Sequence, residues 1–259
     1  MNNIYPLDIW YVIFQHCDLL SQLKLIAVCY SFYHSLSILD ISILPDPNVY
    51  KYELTKSVLK QKKFSKIIGL DIRNTNVDDI SFLTNIKKLY INNRIEQQDI
   101  RGLDLIELDV GCNMKIKDVS FMTNLKQLII YGPCGIDQQG IQGLDLVVLN
   151  ANNNIKIKDV SFMTSLKILF AFGPCGIDQQ GIQKLDLIEL HAGGNYNIKD
   201  VSFMTKLKRL SIYGSCGVDQ QGIHGLDLIK LNITSNERIK DASFMTNLKK
   251  IIYVISLWG

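Results

Sequence analysis

The sequence predicts an α/β solenoid, a horseshoe of about ten short turns in which one strand per turn joins a parallel sheet on the concave face, preceded by a small three-helix segment. Three observations predict it. Ser120-Phe121-Met122-Thr123 recurs as Ser161-Phe162-Met163-Thr164, Ser202-Phe203-Met204-Thr205 and Ser243-Phe244-Met245-Thr246, each 41 residues after the last. Every 41-residue unit divides into two halves that open on L-x-x-L-x-L or a close variant. The first forty or so residues show neither pattern.

A fixed period of this kind means one supersecondary unit per repeat, stacked on its neighbours. Repeats start at Ile67, Ile86, Leu105, Leu125, Leu146, Leu166, Leu187, Leu207, Leu228 and Leu248, in steps of 19 to 21 residues. In each opening segment the alternation of a strand sends Leu or Ile inward and the intervening residues outward. One strand cannot bury its own apolar face, so stability must come from the interfaces between turns. The two halves close differently. One runs Leu125-x-x-Leu128-x-Ile130, then Gly132-Pro133-Cys134-Gly135-Ile136-Asp137-Gln138-Gln139-Gly140-Ile141. The other runs Leu146-x-x-Leu149-x-Ala151-x-x-Asn154, then Ile157-Lys158-Asp159-Val160. Asn113, Asn154, Asn195 and Asn236 stand where the chain leaves the strand, and an amide there can satisfy backbone groups that a turn leaves unpaired. With about twenty residues per turn, the convex side has room for a turn or short helix only.

The pattern L-x-x-L-x-L-x-x-N/C resembles the leucine-rich repeat family, and the half carrying Cys134 resembles its cysteine-containing type. The resemblance implies a binding scaffold without catalytic machinery.

Composition narrows the function. With 47% hydrophobic residues in 259, the chain has ample material for a core. Lys plus Arg exceed Asp plus Glu by only 28 to 25, which argues against electrostatic capture of nucleic acid and for a protein partner. The first basic residue is Lys24 and Asp8 interrupts the early apolar stretch, so the start lacks the layout of a secretory signal. Ile9 to Phe14, the longest early apolar run, is too short to span a membrane. An intracellular protein, cytoplasmic or nuclear, is expected, and the sequon Asn232-Ile233-Thr234 then carries no weight. Cys134, Cys175 and Cys216 share one repeat position and read as a buried row of free thiols, with no C-x-x-C pair to suggest zinc. His16, His34, His191 and His224 are scattered outside any catalytic or metal-ligating spacing, and no glycine loop fits a phosphate. No cofactor and no metal are expected.

The outward strand positions line the inner wall. The fifth position of each repeat gives Asp71, Tyr90, Asp109, Ile129, Asn150, Phe170, His191, Ser211, Asn232 and Ile252. The seventh gives Arg73, Asn92, Gly111, Tyr131, Asn152, Phe172, Gly193, Tyr213, Thr234 and Val254. Tyr131, Phe172 and Tyr213 thus fall on alternate rungs, with Phe170 beside them, His191 between and Tyr90 further up; such exposed aromatics are typical anchors of a protein interface. The plainer alternative is that they are copied with their repeat and only pack on one another across strands. Nine inter-strand gaps would make the wall roughly 43 Å across, enough for a folded domain or an extended segment.

Met1 to about Asp40 reads as three helices, roughly Leu7 to Cys17, Ser21 to Cys29 and Tyr30 to Leu39, the first greasy on every side. Tyr5-Pro6-Leu7-Asp8-Ile9-Trp10, Ile13-Phe14, Leu19-Leu20, Leu23 and Val28-Cys29-Tyr30-Ser31-Phe32-Tyr33-His34-Ser35-Leu36 resemble the F-box motif, with Tyr5 where the family usually has Leu and Phe32 where it generally has Trp. The resemblance implies binding of a Skp-family adaptor through Pro6, Leu7, Ile13, Leu20, Leu23 and Val28, and through it a cullin-RING ubiquitin ligase, with the repeats choosing the target protein. The alternatives are helices that merely cap the first repeat, and a decoy or regulatory scaffold with no ligase link. The domain plan is therefore residues 1–43 F-box-like, 44–63 linker and capping helix, and 64–259 solenoid. The linker opens on Leu44-Pro45-Asp46-Pro47-Asn48, and its helix should bury Tyr50, Leu54 and Val58 while its lysines face solvent. The last strand, Ile251 to Ile255, is expected to leave an open sheet edge.

Overall fold

The computed structural model describes residue 21 and residues 40–41, 54–61, 64 and 66–252. The F-box-like helices, and with them Pro6, Leu7, Ile13, Leu20, Leu23 and Val28, lie outside the described residues, as do Tyr50 and Val254. The chain forms two compact units, Met1–Leu108 and Asp109–Gly259.

In the first unit a two-residue strand β1 (Asp40–Ile41) pairs in parallel with β2 (Gly69–Asp71), and β2 with β3 (Lys88–Tyr90). The unit boundary falls within β4 (Glu107–Asp109). The capping helix is a single turn, α1 (Lys56–Leu59), started by Thr55, whose hydroxyl accepts from the Val58 amide at 3.3 Å. That start changes the expected buried face: Leu59 and Phe64 go into the core, while Leu54 and Val58 remain half-exposed.

The second unit is a run of solenoid turns. β5 (Gln127–Ile129), β6 (Val148–Asn150), β7 (Ile168–Phe170), β8 (Glu189–His191), β9 (Arg209–Ser211), β10 (Lys230–Asn232) and β11 (Lys250–Ile252) pair in sequence order, all parallel. The leucines stay in register: Leu128 faces Leu149, then Leu169, Leu190, Leu210 and Leu231, all buried. A shift of one residue would turn this whole row to solvent, so the hydrophobic pattern fixes the register. The first and sixth repeat positions complete the spine, from Leu125 and Ile130 to Leu228. Burying each such side chain contributes about 2 kcal/mol, and no turn can collect that without a neighbour.

The asparagines act as expected. Asn195 donates from Nδ2 to the carbonyls of Ala171 at 3.1 Å and Ile177 at 3.0 Å, and its Oδ1 accepts the Asn197 amide at 2.9 Å. Asn236 repeats the scheme on Ile212, Val218 and Arg238. In the first unit this task falls to Asn92, whose Nδ2 lies within hydrogen-bond distance of the carbonyls of Ile72, Thr75 and Val77. Asn92 is therefore buried in the ladder and does not line the inner wall, because its 19-residue repeat reaches the turn two positions early.

The convex side alternates in character. The cysteine-containing halves make one 3-10 turn each, at Gln139–Ile141, Gln180–Ile182 and Gln221–Ile223. The other halves make a single turn there, with the Met163 and Met204 amides donating to the Val160 and Val201 carbonyls, both at 3.0 Å, and a side chain binds the two kinds together. Gln179 Nε2 donates to the Asp200 carbonyl at 2.9 Å, while its Oε1 accepts the Lys199 and Asp200 amides, both at 2.9 Å. Gln138 and Gln220 do the same one unit earlier and later. The amide thus stands in for a missing rung of backbone pairing. Glycine is required where turns approach closely: a Cβ on Gly176 would lie 2.5 Å from the Ile155 carbonyl oxygen and 2.6 Å from that of Ile157.

Candidate functional site

The strand face of the second unit carries the third, fifth and seventh repeat positions, because alternation along a strand sends all three to the side away from the leucine spine. Four of the six residues expected to hold a partner come together there. Phe170 and His191 occupy facing positions on β7 and β8, and their rings stack with centroids 4.5 Å apart and planes at 11°. Phe172 and Tyr213 sit two rungs apart in the next column, yet their rings meet at 5.7 Å, tilted by 38°. They can do so because Gly193 stands on the rung between. A Cβ there would come within 2.5 Å of Tyr213 Cδ1 and 2.6 Å of its Cζ, so the Tyr213 ring lies directly on the glycine backbone.

Tyr131 repeats this arrangement over Gly111, with 37% of its surface exposed. On the rung between Tyr131 and Phe172 stands Asn152, whose Oδ1 accepts the Phe172 amide at 2.9 Å. Tyr90 belongs to the first unit and is held by polar groups of its own. Its hydroxyl donates to Glu107, and the Arg73 guanidinium lies 5.0 Å over its ring while pairing with Asp71 at 2.6 Å.

Several fifth- and seventh-position residues do not line the wall as the spacing alone implies. Asp71, Asp109 and Ser211 are buried, as is Gly193 under its tyrosine. Asp109 is only 2% exposed because its Oδ1 turns back to accept the Gly111 amide at 2.9 Å. A carboxylate in this position serves the backbone, not a ligand.

The structure adds two residues that the sequence reading passed over, Glu189 and Arg209, both in the third-position column. Glu189 Oε1 bonds His191 Nε2 at 2.7 Å, and Oε2 accepts from Arg209 Nε at 2.6 Å. Partial burial pushes the Glu189 carboxyl up, but the bonds from Arg209 and His191 outweigh it and hold it below the usual glutamate range. Glu189 therefore fixes the edge of the imidazole whose face lies on Phe170. The signal was available, since alternation places position three beside position five. Burial pushes the Tyr213 phenol upward, so it remains a neutral donor at neutral pH.

What results is a fixed aromatic surface, Phe170, His191, Phe172 and Tyr213, with one carboxylate and one guanidinium on its flank. Rings anchored on strands offer a large apolar area with few rotors to immobilise, which suits the hot spot of a protein interface. Among the described residues no cluster of three or more His, Cys, Asp or Glu could hold a metal, and no helix is long and apolar enough to cross a membrane. The three repeat cysteines are free and buried, with Cys175 Sγ 3.2 Å from the Ala151 carbonyl oxygen; burial pushes the Cys175 thiol up to about 11.

No family model matches the chain, and no curated protein is similar to it. Among solved structures, it is similar to an internalin (inlF) from Listeria monocytogenes, at 19% identity and a TM-score of 0.47, over 78% of this chain and 72% of that one. It is also similar to the yeast Rad7 and Elc1 complex, at 12% identity and a TM-score of 0.45, over 73% of this chain and 68% of that one.

Proposed function

We propose that this chain is a non-catalytic substrate receptor: its strand face holds a target protein, and its F-box-like start ties that target to a Skp-family adaptor and a cullin-type ubiquitin ligase. The observation that carries the binding half is the meeting of Phe172 and Tyr213 across Gly193. Copying of the repeat alone would place aromatics on alternate rungs. It does not call for a second aromatic pair, Phe170 and His191, one column away with its own buttress at Glu189. The link to the ligase rests on the F-box resemblance of residues Tyr5 to Leu36. Such a receptor works by tethering: it raises the effective concentration of target lysines near a ligase that performs the chemistry elsewhere.

Affinity purification of three forms, compared by mass spectrometry, tests both halves. Wild-type chain is expected to retain target, adaptor and cullin. Phe172→Ala with Tyr213→Ala should lose the target and keep the adaptor; each ring is worth about 2 kcal/mol, or roughly thirtyfold in affinity, at a hot spot. Pro6→Ala with Leu7→Ala should lose the adaptor and keep the target. An unchanged set of proteins on the aromatic variant refutes the binding face. Absence of adaptor from the wild-type chain refutes the ligase link and leaves a scaffold that sequesters its partner.

A further inference from the structure

We infer that the target presents an acidic segment to this protein, bound by a row of cations on β9 to β11 beside the aromatic surface. The inference rests on the protein-binding reading above and names the chemistry of the partner. Arg209, Lys230 and Lys250 face one another in consecutive register, Arg209 against Lys230 and Lys230 against Lys250. All three are exposed and stand in file across about 10 Å of sheet. Like charges directly opposite one another on paired strands oppose folding. Only Arg209 has its charge met, by Glu189 at 2.6 Å. Neither Lys230 nor Lys250 has an ion-pair partner among the described residues.

This is segregation of charge and not the by-product of a basic chain, since acids and bases nearly balance over the whole sequence at 25 and 28. None of the third-, fifth- or seventh-position residues on β9 to β11 is a carboxylate. What accompanies the cations there, among the described residues, is half-exposed Asn232, Thr234 and Ile252 beside the buried Ser211, with Tyr213 toward the aromatic surface. A repulsive row kept on the same face as an aromatic anchor is relieved by carboxylates that arrive with the partner. A file of two unmet lysines beside the paired Arg209, bordered by the Asn232 amide and the Thr234 hydroxyl, matches an extended peptide with two acidic side chains. It falls short of the broad basic field that a nucleic acid or an anionic membrane requires.

The test is fluorescence polarisation with the full chain. The probe is a short fluorescein-labelled peptide alternating Glu with Phe, compared with its Gln-for-Glu counterpart, a single-stranded oligothymidylate and phosphatidylserine vesicles. The Glu peptide should bind at least about tenfold tighter than the Gln peptide, and lose that margin as salt rises from about 0.05 to about 0.3 M. Lys230→Glu with Lys250→Glu should weaken it about tenfold or more, and Lys230→Gln with Lys250→Gln by less; circular dichroism melts check that each variant is folded. Equal binding of the Glu and Gln peptides, or an unaffected charge-reversed variant, overturns the inference even if Phe172→Ala with Tyr213→Ala abolishes binding, in which case the aromatic face stands without it. Loss on charge reversal with no loss on the aromatic variant supports the cation row and overturns the aromatic anchor. Tight binding of oligothymidylate or vesicles with none of the Glu peptide overturns the choice of partner.

Discussion

Asn195→Ala puts the asparagine ladder to a quantitative test. The side chain is 1% exposed and makes three bonds: Nδ2 to the Ala171 and Ile177 carbonyls, and Oδ1 from the Asn197 amide. Alanine deletes all three and leaves two carbonyls and one amide without these partners in a buried turn. At about 1 kcal/mol net for each bond, the loss comes to roughly 3 kcal/mol, and more if water cannot enter the space. Asn152 is the control, being a half-exposed asparagine on the strand face whose removal should cost below about 1 kcal/mol. Urea denaturation followed by far-UV circular dichroism reads the difference; with a slope of about 2 to 3 kcal/mol/M, the Asn195→Ala midpoint should fall by roughly 1 to 1.5 M. Asn195→Asp sharpens the test. It keeps an acceptor for the Asn197 amide but, once ionised, cannot donate and sets a charge against two carbonyl oxygens. Its carboxyl should titrate above the unfolded value of about 3.9. The damage is then fully present above that raised folded pKa and fades as the pH falls toward about 4, where the protonated acid can donate again. A midpoint for Asn195→Ala within 0.5 M of wild type, or no further loss than for Asn152→Ala, would refute the account of what holds consecutive turns together.

Two further outcomes follow from the same geometry. Gln179→Ala should cost about 1 to 2 kcal/mol, since water can reach the half-exposed backbone groups it abandons, and hydrogen exchange should quicken at the Lys199 and Asp200 amides, both of which the Gln179 side chain receives; unchanged exchange there would show that the clamp does not hold. Maleimide labelling with peptide mapping should modify exposed Cys112 rapidly in the native protein and reach Cys134, Cys175 and Cys216 only at the rate of local unfolding, because burial keeps these thiols protonated and covered; equal rates at all four would contradict the buried row.

The parallel stacking of successive turns is readable in the sequence. Leu128, Leu149 and Leu169 recur with a spacing that only a parallel stack can bury, and Asn154, Asn195 and Asn236 recur where such a stack must turn, so the core and its ladder follow from periodicity. The clamp formed by Gln138, Gln179 and Gln220 was equally periodic, but its role was hidden because it joins an amide to backbone about twenty residues away. Asn92 was misplaced because counting from the first leucine assumes that every turn has the same length, and its own is shorter.

Alternation says which way a side chain points and not what it meets. That Phe172 reaches Tyr213 depends on Gly193 having no side chain to keep them apart, and that His191 is held flat on Phe170 depends on Glu189 sharing its carboxylate with Arg209 of the next strand. By itself the sequence determined the repeat, the spine of leucines and the face left over for a partner, since each is a property of spacing within one turn. Only the tertiary structure decided which residues on that face form a site, because contacts across rungs are set by the few ångströms between stacked strands and by the bulk of whatever stands on the rung between.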